Sequence, residues 1–395
     1  MVMKIMSRIY DYRINSRNLY VETTFEEYLS FADKIIKNNE LQRKRVKTSK
    51  SVYSLLKDDL KKGCVMPPLV LAVTRRNVVD ADKISAEELL KYIKENTKDV
   101  LILDGMQRTY TLLDARSEME KEDEKNIHRF LNYSLRLEIY VEINRFGVLY
   151  RMLTLNTGQT PMSLRHQLEM LYSDMLDTVI EGVTLIPDNE GKADPDDGQF
   201  IFKNAIEGFN SYMNRNELPI DRQDLLDNIK MMENMSEENI SNDLFKEFLE
   251  GYLHVFNALR AISGEYILTN DDSANYEISS SPFGRKVSKV FSTSQALTGY
   301  GSAVGKMKDN EVITDITDIT AALCELKQKN RGYDWFLEML VRFDRIKESS
   351  KKIGNAQRMF FHYFFRELFN KESDSYLNLE EAVENGYKKY ISQVN

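Results

Sequence analysis

The chain has 395 residues, 42% hydrophobic and 29% charged, a balance that fits a globular protein of two or three domains with ample length for a core. Its formal net charge of −8 excludes a surface broadly attractive to nucleic acid, so any such contact must be a local basic patch. The two cysteines, Cys64 and Cys324, exclude a disulfide framework and point to a reducing cytoplasm. No run approaches the ~18 apolar residues of a membrane span, and the opening Met1-Val2-Met3-Lys4 lacks the apolar core of a secretion signal.

Residues 1 to 24 carry no readable pattern. Thr24 is placed to cap a helix from Phe25 to Ile36, with Phe25, Tyr28, Leu29, Ala32 and Ile36 as its apolar stripe. The most basic segment of the chain follows, Lys34 to Lys50. Within it Arg43, Lys44 and Arg45 are candidates for contact with phosphates, of a nucleotide or of a DNA backbone, or else form a solvated face. A helix from about Ser51 to Lys61 precedes Pro67 and Pro68, which end it and start a strand from Leu69 to Val73. Ser85 and Glu88 have the spacing of a capping box for a helix from Ala86 to Glu95.

The next stretch has the most specific pattern. Val100 to Leu103 reads as a buried strand, Asp104-Gly105 as a tight turn, and from Met106 the period becomes helical through Tyr110 and Leu113. Strand, glycine turn and helix start in that order make an anion site. First-turn amides lack intrahelical partners and the helix dipole favours negative charge there. Arg108 adds a forked cation suited to phosphate, and Gln107 an amide able to orient water or a base edge. The alternative is a strand–helix corner in which Arg108 only solvates the helix end.

Ser117 to Arg129 is charged and expected to be exposed. Leu135, Leu137, Ile139, Val141 and Ile143 then alternate with polar residues as a half-buried strand, whose other face presents Glu138 and Glu142 as paired carboxylates or as partners for cations. Phe146 to Leu155 reads as a helix capped by Asn156-Thr157-Gly158. A second helix begins at Pro161 or Ser163, with Leu164, Leu168, Leu171 and Met175 as its stripe, and His166 lies off that stripe. Asp188 to Gly198 is acidic but lacks the spacing of a calcium loop, and 181–200 reads as an acidic linker between a domain at 1–180 and a helical domain at 201–395.

Beyond it, 200–213, 244–262, 334–343 and 358–369 show helical spacing. Met359 to Phe365 is apolar nearly all round, so that helix should be central and His362 a core residue. The run Gly299 to Lys306 fails as a phosphate loop because Tyr300 and Met307 stand where glycine and a hydroxyl are needed. The stretch 281–308 is expected to be a mobile loop, with Arg285, Lys286 and Lys289 available to an acidic partner or nucleic acid. No Cys/His metal set and no Ser–His–Asp order is present.

Asp104-Gly105-Met106-Gln107-Arg108 resembles the DGQHR or DGQQR box of the ParB/sulfiredoxin-like superfamily. Leu155-Asn156-Thr157-Gly158-Gln159-Thr160 followed by Ser163 and Leu164 is similar to that branch's second box, and Gln42-Arg43 with Pro67 to Val73 to its lead-in. The resemblance covers about residues 40 to 180. It implies an α+β nucleotide-binding N-terminal domain, followed here by a mostly helical C-terminal half, in prokaryotic or phage DNA modification, restriction or their control. Its implied partners are a nucleotide, DNA and other subunits of such a system. The implied roles place phosphate against Gly105, Arg108 and Thr109, with Asn156, Thr157, Gly158 and Gln159 closing the pocket. Asp104, Gln107 and Arg108 would serve any slow hydrolysis of a nucleoside triphosphate brought in with Mg²⁺. Met106 departs from the box, which excludes sulfiredoxin chemistry and removes a water-activating group. The rival functions are a non-catalytic DNA-binding regulator and the targeting subunit of a nuclease complex.

Overall fold

In the computed structural model the chain divides into two units, Met1–Leu171 and Tyr172–Asn395. The structure describes residues 3–38, 50–74, 85–121, 124–155, 172–176, 179–187, 192–219 and 240–394.

The first unit is built on a five-stranded sheet in the order β1-β2-β5-β3-β4, with β1 Lys4–Asp11, β2 Ser16–Thr24, β3 Leu69–Thr74, β4 Val100–Asp104 and β5 Ser134–Ile143. All neighbours run antiparallel except β3 and β5. The alternation read in β5 decides its register. Leu137 lies opposite Val21 and Ile139 opposite Leu19, so one face of both strands is apolar. Helices α1 Phe25–Asn38, α3 Ala86–Glu95 and α4 Met106–Met119 bring Tyr28, Leu29, Ile35, Ile93 and Leu112 onto that face. The interior strand β3, between β5 and β4, is buried along Leu69 to Val73, as an apolar run without alternation requires.

Local chemistry sets the helix ends. The Glu27 amide donates to Thr24 Oγ1 at 3.3 Å, and Ser85 and Glu88 form both bonds of a capping box. Helix α2, Lys50–Lys61, is tied to α4 by Lys57 and Lys61, both donating to Glu118. The segment Ser117 to Arg129, expected to be exposed, is largely so among its described residues, with Met119 buried. Helix α5, Glu124–Leu131, runs past its end to Phe130, which is buried edge-on against Phe25 at 5.1 Å between ring centroids. Ile127, Phe130 and Leu131 form the one apolar face of this short helix and pack on the core. The last helix of this unit among the described residues is α6, Arg145–Leu155.

The second unit is mostly helical. Its described helices of three turns or more are α7 Phe202–Asn214, α8 Ile240–Ser263, α9 Ser294–Asp309, α10 Ile316–Lys329, α11 Asp334–Ser349, α12 Ile353–Phe369 and α13 Leu379–Val394. Helix α12 is central as expected, with Phe360, Phe361, Phe364, Phe365 and Leu368 fully buried. The expectation of a mobile loop over 281–308 is corrected from Val287 onward, where a short helix, Val287–Phe291, with Val287, Val290 and Phe291 buried, leads into α9. Helix α9 packs against both α7 and α12. Its glycines permit that approach: a Cβ on Gly299 would lie 2.3 Å from Phe361 Cβ, and one on Gly301 would lie 2.2 Å from the Gly208 carbonyl oxygen. Glycines that let helices touch look, in sequence, like glycines that loosen a loop.

The acidic stretch 181–200 lies inside the second unit. Strands β6 Thr184–Ile186 and β7 Gln199–Ile201 pair in parallel across it. No helix among the described residues is long and apolar enough to cross a membrane.

Candidate functional site

The expected corner between β4 and α4 is present. Gly105 ends the strand and caps α4 with φ 101° and ψ 13°, left-handed backbone that glycine adopts freely. A Cβ there would also lie 2.4 Å from Leu69 Cδ2, so conformation and space both demand glycine. Helix α4 opens with no side-chain cap and no acidic residue in its first turn. The first-turn amides of Met106, Gln107 and Arg108 therefore face the mouth of the corner, where the helix dipole is equivalent to about half a positive charge.

Arg108 is held in place by three acceptors. Its Nη2 donates to Asp104 Oδ2 at 2.7 Å, and its Nη1 to the Pro67 carbonyl at 2.6 Å and the Pro68 carbonyl at 3.2 Å. The two charged side chains are 13% and 14% exposed. Arg108 thus clasps the turn to the entry of β3, and Asp104 offsets its charge. The pull on an anion at this corner comes chiefly from backbone amides, with Arg108 as a fixed flank.

Thr109 is fully buried. Its hydroxyl donates to the Gly105 carbonyl at 3.0 Å and meets the Tyr28 hydroxyl at 2.8 Å, so it braces the corner from inside. Burial pushes the Tyr28 phenol well above its usual range, against a smaller opposing effect of the Thr109 contact, and it stays protonated. Gln107 is partly exposed, and its carbonyl accepts from Thr111 Oγ1 at 2.9 Å. Met106 packs against the core. Tyr28 and the two proline carbonyls are the participants that sequence reading missed. The carbonyls are backbone groups and Tyr28 lies 81 residues from Thr109, so no local pattern marks them.

Asn156, Thr157, Gly158 and Gln159 lie outside the described residues, as do Arg43, Lys44, Arg45 and His166. Glu138 accepts from Asn18 Nδ2 at 2.7 Å and the Tyr140 hydroxyl at 2.9 Å, while Glu142 pairs with Arg17 at 3.4 Å. These carboxylates therefore serve side-chain pairing across the sheet. The basic residues 285–289 also find partners within the chain. Lys286 reaches Asp196 at 2.8 Å, Lys289 reaches Asp194 at 3.2 Å, and Arg285 donates to Asn270 at 3.1 Å. The acidic and basic stretches neutralise one another.

The same acidic stretch, with α8, lines a polar cleft of about 570 Å³ that includes Asp196, Asp197, Glu250, His254 and Arg260. Among the described residues no three His, Cys, Asp or Glu side chains are grouped as metal ligands. No family model matches the chain, and no curated protein or solved structure matches it either.

Proposed function

We propose that the N-terminal unit is a nucleotide-binding domain of ParB-like type, holding phosphates against the first turn of α4. The observation that carries this reading is the uncapped helix start behind left-handed Gly105, flanked by a fixed arginine. Gly105, the amides through Arg108 and the Arg108 flank contact phosphate; Thr109 shapes the corner from below. Asn156, Thr157, Gly158 and Gln159 complete the pocket on the strength of the second box. Mg²⁺ enters with a nucleoside triphosphate as its counterion.

With Met106 packed on the core, any hydrolysis falls to a water oriented by Gln107, beside Asp104 and Arg108, and is slow. The setting in DNA modification, restriction or their control, alongside DNA and other subunits, rests on the resemblance of the box.

Calorimetric titration of the whole chain with ATP, GTP and CTP, with and without Mg²⁺, tests the reading. Gln107→Glu is the informative variant, because a carboxylate in the first turn suits the helix dipole yet repels phosphate. Its folding stability should be unchanged or up to about 1 kcal/mol higher, while nucleotide affinity falls at least about tenfold, near 1.4 kcal/mol. Equal affinity for the variant and the native chain, or no binding of any nucleotide, defeats the assignment.

A further inference from the structure

The hairpin of β1 and β2, unread in the sequence, carries a second feature that the nucleotide corner does not use. Tyr12 sits at its tip with 85% of its surface exposed, beside Tyr10 at 39%. The two rings meet edge-on at 4.9 Å. The tip itself is fixed. Ile14 is buried and packs so closely on α6 that a Cβ on Gly147 would lie 3.2 Å from its own Cβ. The Arg13 amide donates to Asp11 Oδ1 at 3.0 Å, the Arg13 guanidinium lies 4.8 Å over the Tyr150 ring, and Arg151 pairs with Asp11. An aromatic ring held outward on a pinned turn adds nothing to the core and is already ordered for a ligand.

Cations accompany the rings. Arg8 and Tyr10 are two residues apart on one face of β1, and Arg17 of β2 stands opposite Tyr10 with its guanidinium 5.6 Å over that ring. Arg8 is exposed on this face, while the register irregularity between Ile5 and Ser7 turns Lys4 to the other. In a chain of net charge −8, this is a local stripe of tyrosine faces with interleaved cations.

We infer that the β1–β2 hairpin binds single-stranded nucleic acid, with bases stacked on Tyr12 and Tyr10 and the backbone phosphates running past Arg8. Stacking on exposed rings needs unpaired bases, so a single strand fits and a duplex does not. Pairing of the open β1 edge with a second copy is the rival occupant. The register irregularity between Ile5 and Ser7 and the outward Lys4 and Arg8 are features that blunt such pairing.

Fluorescence anisotropy at low salt, with a labelled oligothymidylate and its duplex, tests the inference on the full chain. The single strand should bind and the duplex much more weakly. Tyr12→Ala should weaken single-strand binding by about 5- to 100-fold, and Tyr12→Phe should keep it. Arg8→Ala should reduce the slope of log affinity against log salt by about 0.7. Tyr12→Ala should leave nucleotide affinity at the α4 corner unchanged, so either site can fail without the other. The inference is overturned if the single strand does not bind, if Tyr12→Ala binds it as tightly as the native chain, or if the duplex binds equally. It is also overturned if light scattering finds a dimer that Tyr12→Ala disperses, which would make the hairpin a self-interface.

Discussion

Arg108 was legible in the sequence as a cation at a helix start, and its position is as expected; the two proline carbonyls that accept from it were not legible. Removing it strands the mostly buried Asp104 carboxylate as well as those carbonyls. Arg108→Ala should therefore cost about 1.5–3 kcal/mol of stability, seen as a lower denaturation midpoint at unchanged slope. An unmoved midpoint would show that the clasp does not hold β3 to the turn. Gly105→Ala meets both the strained φ and the Leu69 contact and should cost about 1–3 kcal/mol. If that variant were as stable as the native chain, the strand–helix corner would have to be looser than its geometry indicates.

The packing of α9 against α7 and α12 turns on small residues. Gly301→Ala drives a methyl onto the Gly208 carbonyl and should destabilise the helical unit by about 1–3 kcal/mol. Gly354→Ala is the control, since its nearest neighbour would be 3.9 Å away and alanine favours a helix. Similar stabilities for the two variants would refute close packing of α9.

The same interface holds His362, whose Nδ1 lies 2.8 Å from Ser302 Oγ. Burial, helped by Lys306 and Arg366, lowers its pKa from 6.5 to about 3. The folded form therefore refuses a proton that the unfolded chain takes up below pH 6.5. Stability is fullest above that pH and falls as pH drops toward 3, by up to about 1.4 kcal/mol per unit. Denaturation at pH 7 and pH 5.5 should show this loss in the native chain and a smaller one in His362→Gln. Equal losses would assign the acid sensitivity to other groups, the buried Glu207–Arg358 pair at 2.8 Å among them.

At the scale of the whole molecule, each unit has its own core: a sheet covered by α1, α3 and α4 in one, aromatic helices around α12 in the other. A fragment of residues 172–395 should fold alone, with helical circular dichroism and a single cooperative unfolding transition. A fragment that binds hydrophobic dyes and melts without a transition would show that it needs the first unit. The acidic stretch near 181–200 belongs to this fragment, because its carboxylates meet Lys286, Lys289 and Arg260 there. A cut made at residue 200 would remove those partners and β6, and should yield a less stable product.

What the sequence determined by itself was local. The apolar periods of α1, β5 and α12, the capping box at Ser85, the strand–Gly105–helix corner and the apolar run of β3 all depend on neighbours a few residues apart, and hydrophobic period and cap chemistry report those directly. Tertiary structure alone decided the rest. It put the Tyr28 hydroxyl on Thr109 and the proline carbonyls on Arg108, turned the glycines of α9 from loop residues into helix contacts, and set the acidic stretch against residues 285–289. It also paired β1 with β2 so that Tyr10 and Tyr12 stand outside the core. Each of these joins segments whose partners are chosen by packing, and an isolated stretch of sequence carries no record of what will be packed against it.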